Sequence, residues 1–471
     1  MIELKINTGK NILLTLIPKG LNNYELVDEN SISHAALLLK DNTLIIEDPK
    51  DIIEDEDSLL FKLKILAKKI YDENFSGVEY ENEFDIENDP FDPEEISIDT
   101  KPVTMETCLR RLEQGTLKLN PDFQRQEVWT EEKKSQLIES LMLKIPLPMF
   151  YVSSDEKSNL TVVDGLQRLS TIRDFVLGKK YLETKKIEHK GNGFKLKHLE
   201  FWKDFEGKCL NDLPTHIYNR IIETEFTFTI INPGTPEEVR RNIFKRLNTG
   251  GMPLSSQEIR NALYIGNATN LLNKLAKNKE FDQATFSSIK SERMEDKELI
   301  LRFIAFIIRD YTTYNKNISV DNWLSDTMII LNALPNLDTR ELVKGVKSGS
   351  IVKEQVNIIS EETLTNRFIL AMRRSKDFFG DHAFRKSYPG KRRTPINKSL
   401  FETWGILLSV LSESEYHTLK QNTESFMDEY KNIIEDPLFV ISISRDSMKH
   451  SSVKSRFEKL SELINKNIQQ P

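Results

Sequence analysis

Apolar residues along this chain change their spacing from segment to segment, and the changes divide it. Over the first 75 residues they come in short alternating runs: Ile2, Leu4 and Ile6, then 12–17, then 35–39 and 44–46 across Lys40-Asp41-Asn42. Such runs, bounded by polar turns, predict strands and a hairpin. Leu60, Leu63, Leu66 and Ile70 then recur at helical spacing and predict an amphipathic helix over 59–71. From about residue 311 onward helix-period apolar groups dominate, with Trp323, 328–331 and 368–372 as the clearest.

The most informative pattern lies between these regions. Residues 160–163 are a four-residue apolar run, and Asp164-Gly165 follows as a turn. Leu169, Ile172 and Val176 then fall at i, i+3 and i+7, so a helix begins near Gln167 and ends near Gly178. Asp164, Gly165, Gln167 and Arg168 therefore stand at a helix N-terminus, where free N–H groups and the helix dipole favour anions. A carboxylate, an amide and a guanidinium at that place suit a phosphate and a metal ion; plain capping by Asp164 suits the same residues.

Upstream, Thr130 before Glu131 and Glu132 predicts a capped helix with Leu137, Ile138, Leu141 and Met142 buried. Ile145-Pro-Leu-Pro148 ends it, and 149–152 begins a strand. Downstream, Thr235, Pro236 and Glu238 read as a capping box opening a helix that buries Val239, Ile243, Phe244 and Leu247. Gly250-Gly251 closes that helix, and Ser255 with Glu258 caps the next. Arg246, Asn248, Glu258, Arg260 and Asn261 thus gather around a glycine-containing loop that lets backbone approach a ligand.

Charge changes this picture in two places. The net charge is −7, yet residues 79–99 hold ten acids and no Lys or Arg, so the rest carries −7 + 10 = +3. Nucleic-acid binding outside that run is therefore not excluded. The acidic run, with Tyr80, Phe84, Ile86 and Phe91 interleaved, reads either as a solvated linker or as a strap for a basic groove. Residues 373–398 are basic. Arg373, Arg374, Arg385, Lys386, Lys391, Arg392 and Arg393, interleaved with Phe378, Phe379, Phe384 and Tyr388, suit a nucleic-acid backbone with stacking rings, or a helix edge whose rings are core. The two cysteines, Cys108 and Cys209, are far apart and exclude a cysteine-based zinc cluster. The longest apolar run, 303–308, is too short to span a bilayer, and 1–11 lacks a signal-peptide pattern, so a cytoplasmic location is expected. His189 and His198 sit in a Lys-rich stretch and read as surface residues.

Three blocks together carry a resemblance: FQRQEVW at 123–129 with VDGLQR at 163–168; FKRLNTGG at 244–251 with LSSQEIRN at 254–261; and RMEDKE at 293–298. In this order they resemble the GmrSD-type N-terminal domain family over about 103–310. The family signature is Asp-Gly-Gln-Gln-Arg; here its third position is Leu166, while Asp164, Gly165, Gln167 and Arg168 keep their places. The resemblance implies a ParB/sulfiredoxin-like mixed α/β core and an α+β chain. Its expected parts are a small β-rich module (1–75), an acidic linker (76–100), the GmrSD-like domain (101–310) and a helical C-terminal domain (311–471).

It further implies binding and Mg²⁺-dependent hydrolysis of a nucleoside triphosphate in bacterial restriction or anti-phage defence acting on DNA. Asp164, Gln167 and Arg168 would be catalytic, with Asp164 the metal ligand and Glu258 a second candidate base. Gln124, Arg125, Gly165, Arg246, Asn248, Glu258, Arg260 and Asn261 would bind the nucleotide. No paired-His nuclease signature follows residue 310, so nuclease action would come from a partner. Two other readings are a non-catalytic DNA-binding adaptor that senses nucleotide, and a core that itself nicks DNA.

Overall fold

The computed structural model describes residues 2–18, 22–28, 32–40, 43–79, 97–119, 129–155, 157–233, 235, 239, 241, 243 and 255–469, apart from 317, 348, 445 and 446. It is an α+β chain that divides into two compact units, one of 1–85, 270–291 and 295–471, the other of 86–269 and 292–294. Among the described residues, no helix is long and apolar enough to cross a membrane.

The first unit opens with β1 (Ile2–Lys5), β2 (Asn11–Pro18), β3 (Asn23–Val27), β4 (Ser33–Lys40) and β5 (Thr43–Asp48), paired in chain order. Each pair is antiparallel. The alternating pattern works as expected: Leu4, Leu14, Leu26, Ala35, Leu37 and Leu44 face one side and meet Leu63, Leu66, Ala67 and Ile70 of helix α1 (Glu56–Ser76). Strand β3 is not evident from the sequence, because only Leu26 and Val27 of its five residues are buried and the register shifts between them.

Helix α1 runs longer than its apolar stripe because both ends are capped. The Asp55 carboxylate accepts from the Ser58 N–H at 3.1 Å, and Gly77 takes φ 76° at the C-terminus. Only glycine fits there, since a Cβ would lie 1.8 Å from the Ser288 carbonyl oxygen. The chain leaves α1 pinned to the helical layer: the Ile396 N–H donates to the Gly77 carbonyl at 2.9 Å, and the Glu79 N–H to the Ile396 carbonyl at 2.8 Å. That layer is built around helix Glu295–Ile308, buried from Leu299 to Ile308, with Glu361–Phe379 and Lys398–Val410 beside it.

The second unit is a five-stranded mixed sheet with helices. In chain order it has β6 (Ile98–Thr104), α2 (Met105–Glu113), β7 (Leu117–Lys118), α3 (Glu131–Met142), β8 (Phe150–Ser154) and β9 (Leu160–Asp164). Then come α4 (Leu166–Val176), α5 (Lys179–Thr184), α6 (Thr215–Ile222), β10 (Glu225–Ile231) and α7 (Ser256–Leu263). The strand order is β6-β10-β8-β9-β7. Strands β10 and β8, and β7 and β9, are parallel; the other neighbours are antiparallel. Ile138, Leu141 and Met142 of α3 join Leu169, Ile172 and Phe175 of α4 in one core with Phe150, Phe226 and Phe228. The Thr130 hydroxyl caps α3 as its sequence predicts, accepting from the Lys133 N–H at 3.3 Å.

Candidate functional site at the start of α4

Strand β9, the turn and α4 form as the apolar run and its 3.6-residue successor require. Asp164 is the last residue of β9, paired with Tyr151 where the register shifts. The N-cap of α4 is Gly165 rather than Asp164, at φ 95°, and no side chain among the described residues caps the helix. Plain capping by Asp164 is thereby corrected: with glycine in the left-handed region, the first-turn N–H groups stay open. A Cβ on Gly165 would sit 2.3 Å from Phe150 Cδ1.

Arg168 is drawn inward. Its guanidinium donates to the Asp164 carboxylate at 3.1 Å, to the Met149 carbonyl at 3.3 Å and to the Pro148 carbonyl, and lies 4.5 Å over the Phe150 ring. Burial lowers its pKa below the usual arginine value, and the Asp164 charge works against that. Arg168 thus ties the first turn of α4 to the strand entry that precedes it. The Asp164 carboxylate is 38% exposed, with one oxygen on Arg168 and the other without a hydrogen-bond partner among the described residues. Gln167 is half-buried on the same turn and makes no side-chain hydrogen bond to a described residue. Leu166, in the place of the expected amide, packs against Val163, Ile231, Ile259 and Ala262 and so joins α4 to α7.

Helix α7 carries the second group of candidates, and they are interior. The Ser255 hydroxyl accepts from the Glu258 N–H at 3.1 Å, and the Glu258 carboxylate accepts from the Ser255 N–H at 2.6 Å. The capping box is as predicted. It leaves Glu258 1% exposed and 3.7 Å from the Arg293 guanidinium, a poor position for a base acting on solvent. The Ser255 hydroxyl donates to the Arg293 carbonyl at 2.9 Å, so the second and third sequence blocks meet here. Arg260 and Asn261 are buried around Gln257, which accepts from Arg260 Nε at 2.9 Å and donates to Asn261 Oδ1 at 3.0 Å. Gln257 is absent from the sequence-derived set, although its i+3 and i+4 spacing to those two residues is the signal for it. The Asn261 amide nitrogen is buried without a partner among the described residues. The Thr235 hydroxyl exchanges hydrogen bonds with the Ser97 backbone at 3.1 and 3.2 Å. Gln124, Arg125, Glu238, Phe244, Arg246, Leu247 and Asn248 lie outside the described residues, as does most of the acidic run.

The basic segment of the first unit is largely committed to its own fold. Arg374 is buried and donates to the Leu408 and Leu411 carbonyls at 2.8 and 2.7 Å and to Glu413 at 2.8 Å. Arg385 is buried against the Thr285 carbonyl at 3.2 Å and Ser288 at 2.7 Å, and burial pushes its pKa down to about 10. Arg373 pairs with Glu280 at 2.8 Å and Lys386 with Glu79 at 2.6 Å. Phe378 and Phe379 pack with Phe426, and Phe384 with Phe401, so these rings are core and not stacking platforms. Lys391, Arg392 and Arg393 remain on the surface.

A mixed-sheet domain with a polar strand–turn–helix junction is thus the class that fold and site define. Residues 106–265 match the family described as GmrSD restriction endonuclease, N-terminal domain. This stretch is similar to that family, and the match points to a component of a restriction system acting on DNA. No curated protein matches the chain.

Proposed function

We propose that this chain is a nucleotide-binding, Mg²⁺-dependent NTP-hydrolysing component of a bacterial restriction or anti-phage system acting on DNA, with a ParB-like core and any nuclease action supplied by a partner. The observation that carries this reading is the uncapped first turn of α4, with Asp164 and Gln167 beside it, inside the family-matched domain. The open N–H groups supply phosphate contacts without a charged side chain. Mg²⁺ needs few protein ligands when a nucleotide supplies the others, and the open Asp164 oxygen fits that mode. Among the described residues, no group of three or more metal-binding side chains offers an all-protein cage. When bound, the ion neutralises phosphate charge. Asp164 would hold it, Gln167 would orient water, and Arg168 would fix Asp164. Lys391, Arg392 and Arg393 are exposed members of the basic segment, with Lys391 also 3.9 Å from Glu435, and would meet a DNA backbone in this reading.

One observation favours the adaptor reading. Arg168 is already satisfied by Pro148, Met149 and Asp164, and Leu166 supplies no amide, so binding could occur without turnover. Phosphate release from each NTP with Mg²⁺, with and without DNA, separates the two. Hydrolysis that Asp164→Ala abolishes in a folded protein establishes the first reading. Nucleotide binding with no release under any condition establishes the adaptor.

A further inference from the structure

We propose that α5 and the turn after it, through Lys179, Lys180, Lys185 and Lys186, form a second contact surface for the DNA phosphate backbone, at the far end of α4 from Asp164. This rests on the reading that the chain acts on DNA.

Residues 179–208 hold nine lysines against five acids, a balance of 9 − 5 = +4. Within that stretch Lys190 pairs with Glu113 at 3.1 Å and Lys197 with Glu131 at 2.7 Å. The four lysines of α5 and its turn are exposed, and none has an ion-pair partner among the described residues.

Their placement runs against local preference. Lys179 and Lys180 open α5, where the dipole disfavours cations, and no acid or side-chain cap offsets them in that turn. Lys185 closes the helix at φ 57°, a left-handed position that favours glycine or asparagine. Lysine thus opens this helix against its dipole and closes it in a backbone conformation that favours glycine. Sequence choices that break local rules in this way are expected where function selects them. Ile187, 76% exposed, stands immediately beside the cluster.

The position separates this surface from the α4 N-terminus. Helix α4 has 11 residues, about 16 Å at 1.5 Å per residue, and α5 follows it after Leu177 and Gly178. Four ammonium groups on two turns of chain match a duplex, which presents a charge about every 1.7 Å of its axis. DNA and nucleotide would then occupy opposite ends of one helix and could bind together.

The test is titration of the full chain with a labelled duplex over a range of salt, for wild type and for Lys179→Glu/Lys180→Glu/Lys185→Glu/Lys186→Glu. The variant is expected to lose about tenfold or more in affinity, and its log–log salt slope to shrink by about 2 to 4. The four-fold Lys→Gln variant should show a smaller loss in the same direction. Lys185→Gly should unfold at higher temperature yet bind DNA more weakly, which separates charge from folding. Unchanged affinity and slope in the Glu variant, with wild type binding, overturns this inference alone. Absence of DNA binding by wild type overturns the inference and the DNA part of the proposed function, whereas NTP hydrolysis, measured separately, does not depend on it.

Discussion

Arg168 shows how much of a residue's role depends on where its acceptors come from. In sequence it is a cation next to an acid; in the structure its hydrogen bonds go to Asp164 and to two backbone carbonyls twenty and nineteen residues earlier. Gly165 is the other decisive residue. It holds φ 95° with Phe150 against it, so Gly165→Ala meets both a backbone and a steric penalty. Thermal or denaturant unfolding of that variant should show a loss of about 2 kcal/mol or more. A variant as stable as wild type would show that the turn does not depend on glycine. The Asp164–Gly165 turn was legible because strand and helix periods change there. The inward pull on Arg168 was not, since backbone carbonyls leave no trace in side-chain identity.

At the scale of elements, the same contrast appears in α3. Its buried stripe and its cap follow from the sequence, but Glu139 lies within that buried face and is 3% exposed. Its carboxylate accepts from the N–H groups of Glu200, Phe201 and Trp202 at 2.9, 2.8 and 2.9 Å, fixing a loop within the lysine-rich stretch. Glu139→Ala would leave three backbone donors unpaired. The expected destabilisation is about 3 kcal/mol, read from denaturant unfolding; a loss near zero would mean that water replaces the carboxylate fully.

Glu54 plays a comparable part between β1 and α1. Hydrogen bonds from Lys62, from the Lys5 N–H and from Ser58 hold its pKa at about 2, against 4.5 for the free group. Because the folded value is the lower one, its stabilisation is present above about pH 4.5 and fades as pH falls toward 2. Wild type should therefore lose more stability than Glu54→Gln over that window. Parallel melting curves for the two would show that Glu54 is not the group concerned.

Across the whole molecule, charge is distributed in a way that composition alone conceals. The helical unit buries a network in which Arg302 meets Glu298 at 3.1 Å and Glu402 at 3.3 Å. Lys398 meets Glu298 at 2.9 Å, and Arg456 also pairs with Glu402. Removing one member leaves uncompensated charge inside, so Glu402→Ala is expected to cost about 3–5 kcal/mol in unfolding free energy. A cost below about 1 kcal/mol would mean that the network relaxes into solvent. These groups, with Arg374 and Arg385, are charges that a sequence count assigns to the surface and the fold takes inside.

The sequence by itself determined the α+β class, the β-rich start, the α3 and α4 stripes, the strand–turn–helix at 160–178 and the capping box at Ser255. Each depends on neighbours within a few residues, and period and capping chemistry are local. It also carried the family resemblance, because the motif residues are read directly. Only the tertiary structure decided that Gly165 and not Asp164 caps α4, that Leu166 bridges to α7, that Glu258 and Arg260 are interior, and that Phe378 and Phe384 are core. Those outcomes depend on residues tens of positions away, brought close by packing, and burial changes what a charged or aromatic side chain is available to do.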